Sequence, residues 1–410
     1  MSHSLNREVE EDRYGYLLVE SEPDPSDWCI YRVPHSFRRG KEEAYTPQIV
    51  SIGPFHCDKK ELRDMDKLKR RYVNKFFERT SKEHEDVLAF IEAHELQIRK
   101  CYSETSNLRS HEYVKMILRD AVFILELLLR NYEEVEDDKL LRIPADKLAL
   151  KVDLLLLENQ LPYFILERIY KSIVGSPSFI DICLKFFRSL FFHREVSNRQ
   201  KSFKHFTHML RYTLVQHYPA NEFRSVNYED DDLYPLPCAT KLHESGVKFT
   251  PVRSRKLLEV KFGGGELRMP LFSVHHHTET VLRNIMALEQ CHNPRHTIVC
   301  DYVILLDALI ADKRDAQLLV DAGIISNSMG DSKALASLFN KLSVEILLYG
   351  DYYNYIYQDL KNYSKNKYNR NMAKLQRLYF GDVWKGTATI GASVLLILTF
   401  LQTINSFKQS

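Results

Sequence analysis

The stretch HEYVKMILRDAVFILELLLRN, His111 to Asn131, carries apolar residues that recur at three and four positions. This spacing places them on one face of an α-helix. The same periodicity occurs in Lys147 to Ile173, Glu279 to Cys291, Ile298 to Ala311 and Ala334 to Leu348. Because amphipathic helices must bury their apolar faces against one another, the sequence predicts a mainly α, multi-helix body.

Turn and capping residues separate the predicted helices. Pro144 precedes one helix, Asp331 is a candidate N-cap of another, and Gly323 follows a helical segment as a C-cap residue does. One stretch predicts strands instead, because LLEVKF, Leu257 to Phe262, and ELRMPLF, Glu266 to Phe272, flank three glycines. Glycine tolerates the positive φ angles of a tight reversal, so we expect a small β-hairpin there.

The composition indicates a folded chain without a strong overall charge. The chain has 410 residues, of which 44% are hydrophobic, enough for one large domain or two ordinary ones. Lysines and arginines number 57 against 55 acids, and a net charge of +2 argues against nucleic acid as a partner. The seven cysteines form no C-x-x-C spacing, a pattern typical of a reducing compartment. No cofactor is predicted.

The predicted organisation has four parts. Residues 1–27 are rich in acids, lack the apolar run of a signal peptide and are predicted to be disordered. Residues 28–385 form the helical body, in which the acidic, proline-bearing stretch 218–237 is a candidate internal linker. Whether this body is one domain or two stays open. Residues 386–407 are a candidate transmembrane helix, and 408–410 form a short tail.

The candidate membrane segment is GTATIGASVLLILTFLQTINSF, Gly386 to Phe407, an uncharged run bounded by Lys385 and Lys408. As a helix it would be about 33 Å long, enough to cross a hydrocarbon core of about 30 Å. The expected topology is a C-terminal tail anchor in a lipid membrane, with the plasma membrane favoured and the body in the cytosol. The alternative is a terminal helix packed against the body, because polar side chains, among them Thr387, Thr389, Ser393, Thr399, Gln402 and Asn405, make the run only moderately apolar.

Basic residues precede this segment. No acid occurs between Lys361 and Gly381. Bases beside a membrane span favour its cytosolic side and attract anionic lipid, so a membrane-surface role is predicted. The alternative is the solvated face of a helix. The six candidate residues are Lys361, Lys365, Lys367, Arg370, Lys374 and Arg377.

Four blocks resemble a known plant family. They are CIYRVPHSFRRGKEEAYTPQIVSIGPFH (Cys29 to His56), DLLLLENQLPYFILERI (Asp153 to Ile169), ATKLHESGVKFTP (Ala239 to Pro251) and TETVLRNIMALEQC (Thr278 to Cys291). Together with LTFLQTINS (Leu398 to Ser406), they are similar to the plant proteins called domain of unknown function 247. The resemblance implies plant origin, a helix-rich domain, a terminal transmembrane segment and no established activity. Some relatives are associated with pollen-side self-incompatibility in grasses, which makes recognition a theme of the family.

Catalytic motifs are missing from the sequence. It contains no G-x-x-x-x-G-K, no G-x-G-x-x-G and no G-x-S-x-G. The best metal candidate is CHNPRHTIVC, which places Cys291, His292, His296 and Cys300 within ten residues. The two cysteines are nine apart and Pro294 lies between them, so a turn with incidental thiols is the competing interpretation.

Polar residues inside the family-like blocks offer two interpretations. Asp153, Glu158, Asn159 and Gln160 interrupt an apolar stretch before Pro162, where buried polar groups must find partners such as free backbone groups. Alternatively, polar groups from several blocks converge in a catalytic pocket. The four candidates for such a pocket are His35, His56, Glu158 and Glu289.

The sequence favours a non-enzymatic module for protein interaction or recognition at the cytosolic face of a membrane, with an unidentified protein partner. The rival is a membrane-associated hydrolase or transferase with an unrecognised site. Neither the particular partner nor the oligomeric state can be read from the residues.

Overall fold

The structure is a computed structural model that describes residues 28–80, 84–190, 203–218, 236–254, 256–344, 346–347, 352–379 and 383–409. The predicted disordered segment, 1–27, lies outside these residues. Of the candidate linker, 218–237, only Tyr218, Leu236 and Pro237 are described.

Helices dominate the described residues. In chain order they are α1 (His35–Arg38), α2 (Arg63–Thr80), α3 (His84–Ala93), α4 (Glu95–Lys100), α5 (Ser110–Glu133), α6 (Pro144–Asp153), α7 (Tyr163–Ile173), α8 (Phe179–Phe187), α9 (Phe206–Val215), α10 (Ala239–Glu244), α11 (Thr278–His292), α12 (Ile298–Leu309), α13 (Lys313–Asp321), α14 (Ser332–Ser343), α15 (Asn354–Lys365), α16 (Lys367–Tyr379) and α17 (Val383–Gln409). Short 3₁₀ turns occur at Glu42–Tyr45, Pro54–His56 and Lys60–Leu62.

Five short strands form two small sheets. They are β1 (Lys248–Val252), β2 (Lys261–Gly263), β3 (Glu266–Pro270), β4 (Phe272–Val274) and β5 (Ile325–Asn327). The antiparallel pair β2–β3 confirms the predicted hairpin, although β2 begins at Lys261 and not at the predicted Leu257, and Gly264 and Gly265 at its turn both have positive φ. The sequence did not predict that β1 pairs parallel with β3, or that β4 pairs parallel with β5. Parallel partners are joined through long connections, so no local turn signal marks them.

The chain divides into two compact units. The first unit comprises Met1–Val33, Thr46–Phe186 and Ser202–Phe206. The second unit comprises Pro34–Tyr45, Phe187–Lys201 and Thr207–Ser410. The first contains α2 to α7, and the second contains α1, α10 to α17 and both sheets.

The core of the first unit forms around α5. This helix covers the predicted stretch His111 to Asn131, and it packs against α2, α3 and α7. Its residues from Ala121 to Leu129 are all buried, including Glu126, whose carboxylate pairs with Arg79 and Arg130. The second unit is built from α11 to α14, which pack against one another, and Asp331 caps α14 by accepting the Lys333 N–H as predicted.

One predicted helix is wrong. The stretch Lys147 to Ile173 forms two helices, α6 and α7, separated by the irregular segment Leu154 to Pro162. Gln160 donates its side-chain amide to two backbone carbonyls of this segment, and Asn159 donates its amide to the Asp153 carbonyl at the end of α6, which replaces the bonds of a continuous helix. Pro162 lacks an N–H and sits as the N-cap of α7.

The predicted transmembrane helix is also wrong. A helix, α17, does cover Gly386 to Phe407, and its apolar side chains such as Leu396 and Phe400 are exposed. Among the residues that the structure describes, however, no helix combines the length and the hydrophobicity that crossing a membrane requires. This finding overturns the C-terminal anchor and the single-pass membrane localisation. Polar side chains dilute the run without adding charge, among them Thr387, Thr389, Ser393, Thr399, Gln402 and Asn405.

Candidate functional site

The carboxylate of Asp153 holds a loop in the first unit. It lies at the C-terminal end of α6 and is 2% exposed. It accepts backbone N–H bonds from Gln48 (2.9 Å), Ile49 (2.6 Å) and Val50 (2.9 Å). Burial raises the pKa of Asp153 to about 6, although the three N–H bonds oppose that rise. The side chain therefore organises the backbone rather than facing a substrate.

Asn159 continues this arrangement. Its Oδ1 accepts the Ile52 N–H at 2.6 Å, and its Nδ2 donates to the carbonyls of Val50 and Asp153, both at 2.9 Å. Gln160 donates to two carbonyls of its own segment and accepts the Phe206 N–H at 3.0 Å. Both side-chain amides donate hydrogen bonds to backbone carbonyls and accept one from a backbone N–H. These are the backbone partners that the sequence predicted for the buried polar groups of this block.

The same loop is held from a second side by α5. Asp120 Oδ2 accepts the Gly53 N–H at 2.9 Å, and its Oδ1 lies 2.6 Å from the Lys69 ammonium. Lys69 also donates to the Ser51 carbonyl. Gly53 has φ +71°, and a Cβ there would lie 2.7 Å from the Gln160 carbonyl oxygen. Only glycine fits this position without displacing backbone.

Glu158 and His56, two of the four candidate catalytic residues, do come together. Glu158 Oε1 accepts the Val33 N–H at 2.7 Å, and Oε2 lies 3.2 Å from Arg32 Nη1 and 3.0 Å from His56 Nε2. Burial lowers the pKa of His56, although Glu158 opposes that shift, so the ring is neutral at pH 7. The Arg32 guanidinium stacks on the Phe55 ring, 4.3 Å from its centre. Unlike the buried side chains of Glu158 and His56, that of Arg32 is 35% exposed to solvent. Each carboxylate oxygen is already bonded, as in a structural ion pair.

Glu289, the third candidate, lies in the second unit and has a similar role there. Oε1 accepts from Arg211 Nε at 2.8 Å, and Oε2 accepts the N–H groups of Val299 (2.9 Å) and Cys300 (3.0 Å) in the first turn of α12. Burial raises the pKa of Glu289, and the arginine and the helix amides oppose this rise. His35, the fourth candidate, is exposed and also belongs to the second unit.

The structure does not assemble the candidate metal ligands Cys291, His292, His296 and Cys300. All four lie in the part of the chain that the structure describes, and that part contains no group of three or more such side chains able to hold a metal ion. Cys300 is buried, and burial raises the pKa of its thiol well above its usual value. A buried protonated thiol is a poor metal ligand.

The predicted basic residues are placed differently from one another. Lys361 is buried on α15, whereas Lys365, Lys367, Arg370 and Lys374 are exposed. The side chain of Arg377 lies outside the described residues.

An apolar stripe that sequence reasoning missed accompanies these bases. On α16, Ala373 and Asn369 face Gly246. The stripe consists of four apolar side chains of the same helix that face solvent: Tyr368 (70% exposed), Met372 (47%), Leu375 (47%) and Tyr379 (51%). They recur at four, three and four positions, so the signal was present in the sequence and was overlooked beside the basic residues.

Comparison with known proteins identifies the family. The profile of DUF247, described as a plant protein of unknown function, matches residues 30–398. The chain belongs to the DUF247 family. It is 28% identical over 419 residues to UPF0481 protein At3g47200 of Arabidopsis thaliana, an alignment that covers 94% of this chain and 87% of the relative. It is also 22% identical to Putative UPF0481 protein At3g02645 of Arabidopsis thaliana, over 97% of this chain and 92% of that protein. No solved structure matches the chain.

The blocks that carry the DUF247 resemblance coincide with the polar clusters. In the first unit, Asp153 and Asn159 of one block bind the backbone of Gln48 to Ile52 in another. In the second unit, Asn284 donates to the Ala44 carbonyl at 2.8 Å, which joins the Thr278 block to the earlier one. These block residues therefore serve the packing of the DUF247 fold.

Proposed function

We propose that this DUF247 protein is a non-enzymatic protein-interaction module that binds an acidic segment of a partner protein through α16. The observation that carries the proposal is the exposed stripe Tyr368, Met372, Leu375 and Tyr379. Large aromatic and thioether side chains are enriched where proteins bind one another, and contiguous apolar surface of this kind is uncommon on a protein that acts alone. An apolar stripe on a helix is also a common way to bind another helix or an extended segment.

Charge supports the choice of partner. Lys367, Arg370 and Lys374 are exposed on the helix that carries the stripe, and no acid occurs between Lys361 and Gly381. A helix that combines an apolar stripe with basic neighbours is complementary to a segment that alternates apolar anchors with Asp or Glu. The helix α17 also exposes apolar residues, but its run contains no charged residue that would indicate the charge of a partner.

The polar clusters support the non-enzymatic part. Asp153, Asn159 and Glu289 direct their side chains at buried backbone groups, and Glu158 is bonded on both oxygens. Groups engaged in this way hold loops and helix ends in place. They do not converge on a reacting atom as an acid–base pair must.

The experiment measures binding of a synthetic peptide that alternates Leu and Glu at helical spacing to the full-length protein. We expect the triple variant Tyr368→Ala, Met372→Ala, Leu375→Ala to weaken binding about 100-fold, because truncated interface anchors cost about 1 to 3 kcal/mol each and are not additive. The charge variant Lys367→Glu, Arg370→Glu, Lys374→Glu should weaken binding at least about tenfold and reverse the sign of its salt dependence, because acids then face an acidic peptide. Leu96→Ala, at an exposed leucine of the first unit, is the matched control and should bind as the wild type does.

Three results would contradict the proposal. If the triple variant bound the peptide as tightly as the Leu96→Ala control, the stripe would be excluded as the binding surface. A peptide with Lys in place of Glu could bind equally well, which would exclude an acidic partner. Sedimentation could show that the wild-type protein self-associates and the triple variant does not, which would assign the stripe to a second copy of the chain.

A further inference from the structure

Two cysteines of the first unit, Cys29 and Cys101, lie side by side. The Cys101 carbonyl accepts the N–H groups of both Cys29 and Ile30, each at 2.9 Å, and Ile30 forms a parallel bridge with Tyr102. Their positions are therefore adjacent across a pair of chain segments, where Cα atoms are close enough for a disulfide. The Cys101 thiol donates to the Gln97 carbonyl at 3.4 Å. Neither cysteine forms a disulfide in the structure.

The two thiols share a cavity of about 620 Å³ that solvent reaches. Cys29 and Cys101 line it together with Leu96, Phe164 and Lys204. Cys101, at the C-terminal end of α4, is partly exposed, whereas Cys29 is 5% exposed. A small polar oxidant such as a peroxide can therefore reach Cys101 first.

The surroundings give the two thiols different chemistry. The pKa of the Cys29 thiol is raised well above its usual value, first because it is hydrogen-bonded to Cys101 and then because it is buried, while the Lys204 ammonium opposes the shift. Cys29 is thus protonated at pH 7 and cannot react directly with an oxidant. Cys29 reacts only when a base beside it takes its proton, and the hydroxide that departs from an oxidised neighbouring sulfur is such a base.

We propose that Cys29 and Cys101 form an oxidation site in which a peroxide converts two neighbouring thiols into one disulfide. The Cys101 thiolate attacks a peroxide oxygen, the O–O bond breaks, and the leaving hydroxide takes a proton to become water, which leaves a sulfenic acid. The Cys29 sulfur then attacks the Cys101 sulfur, the S–O bond breaks, and the departing hydroxide takes the Cys29 proton. The sulfurs lose two electrons to the peroxide, and two waters form when hydrogen peroxide is the oxidant.

The disulfide would tie the segment that begins at Trp28 to the end of α4. It would close a loop of about 70 residues, which restricts the unfolded chain and stabilises the folded one. Arg32, which bonds Glu158 and Glu104, lies three residues after Cys29. Oxidation would therefore lock the segment that covers the buried Glu158–His56 pair.

The test treats the reduced full-length protein with about one equivalent of hydrogen peroxide and maps its peptides without reduction. We expect a single cross-linked peptide pair that joins Cys29 to Cys101, an intact mass lower by about two hydrogens, and a higher Tm that returns to its starting value after a dithiol reductant. In Cys29→Ser the second step is blocked, so a dimedone probe should label Cys101. Cys57→Ser is the matched control because Cys57 is also partly exposed in the first unit, and it should cross-link as the wild type does.

Several results would overturn the proposal. Peptide mapping of the wild-type protein can show them even if a variant fails to fold. One is a disulfide that involves any other cysteine. Another is oxidation of Cys101 to sulfinic acid in the wild type without coupling to Cys29. A third is the absence of any reaction at Cys101 under conditions that oxidise Cys57, whose pKa burial raises to about 11.

Discussion

Each of the two units of the chain uses a buried carboxylate to hold backbone, but the carboxylates are compensated differently. In the first unit, Asp153 accepts three loop N–H groups and forms no ion pair among the described residues. In the second unit, Glu289 accepts two helix N–H groups and also the guanidinium of Arg211. Both are almost fully buried, so the difference is one of partner and not of exposure.

This contrast separates two ways of stabilising a buried charge. Backbone N–H groups carry only partial charges, so Asp153 depends on three of them in one arrangement, and a small shift of the loop would leave it poorly bonded. Arg211 brings a full charge to Glu289, and its own side chain keeps 14% exposure to solvent. The first arrangement ties the charge to the loop conformation, whereas the second tolerates local movement.

The largest expected effect is at Asp153. We expect Asp153→Ala to lower the free energy of unfolding by about 3 kcal/mol or more, because three buried N–H groups lose their acceptor at once. Urea denaturation of the full-length protein measures this change. Asp137→Ala, at an exposed aspartate of the same unit, should change it by less than about 0.5 kcal/mol. Equal losses in the two variants would mean that the loop is held by other contacts.

The second effect tests the loop itself. Gly53→Ala should cost about 3 kcal/mol, because the new Cβ meets the Gln160 carbonyl oxygen at 2.7 Å and the backbone has φ +71°. Gly330→Ala in the second unit has φ +86° with open space around it, so it should cost only about 1 kcal/mol. The difference between the two variants isolates the steric clash. If thermal unfolding showed the same loss for both, the close approach at Gly53 would have to be abandoned.

A smaller effect is expected at Glu289. Glu289→Gln keeps the shape of the side chain but removes its charge, so we expect a loss of about 2 kcal/mol. The double variant with Arg211→Met should lose less than the sum of the two single variants, since each single change leaves its partner unpaired. A double-mutant cycle by urea denaturation measures this coupling. Strict additivity would show that Arg211 and Glu289 do not act together.

Much of the fold could be predicted because local patterns encode it. The helices α5, α11 and α12 follow apolar periodicity, and the Gly264–Gly265 turn follows from glycine chemistry. The break between α6 and α7 could not be predicted, because it depends on which distant groups the amides of Asn159 and Gln160 bind. The error at α17 has a different cause, since an uncharged run is not the same as an apolar one.

The candidate site was harder to predict than the fold. The sequence placed Glu158 in an apolar stretch and correctly required partners for it, but it could not show that Arg32, more than 120 positions earlier, supplies one. The exposure of Met372 and Leu375 was equally out of reach. A helical stripe has the same spacing whether a neighbouring helix covers it or solvent does, so only the packed structure distinguishes the two.

The smallest expected effect is the pH dependence of the contribution that Asp153 makes to the free energy of unfolding. Its pKa of about 6 in the folded protein lies above the value of about 4 in an unfolded chain. Between these values the folded state binds more protons, so this group's contribution to the free energy of unfolding falls as the pH rises from 5 to 7. Asp153→Asn cannot bind that proton, and its destabilisation should be about 1 kcal/mol larger at pH 5 than at pH 7. Comparing wild type and variant at each pH cancels other groups such as His56, whose pKa burial lowers. A loss that is larger at pH 7 would show that the three N–H bonds outweigh burial.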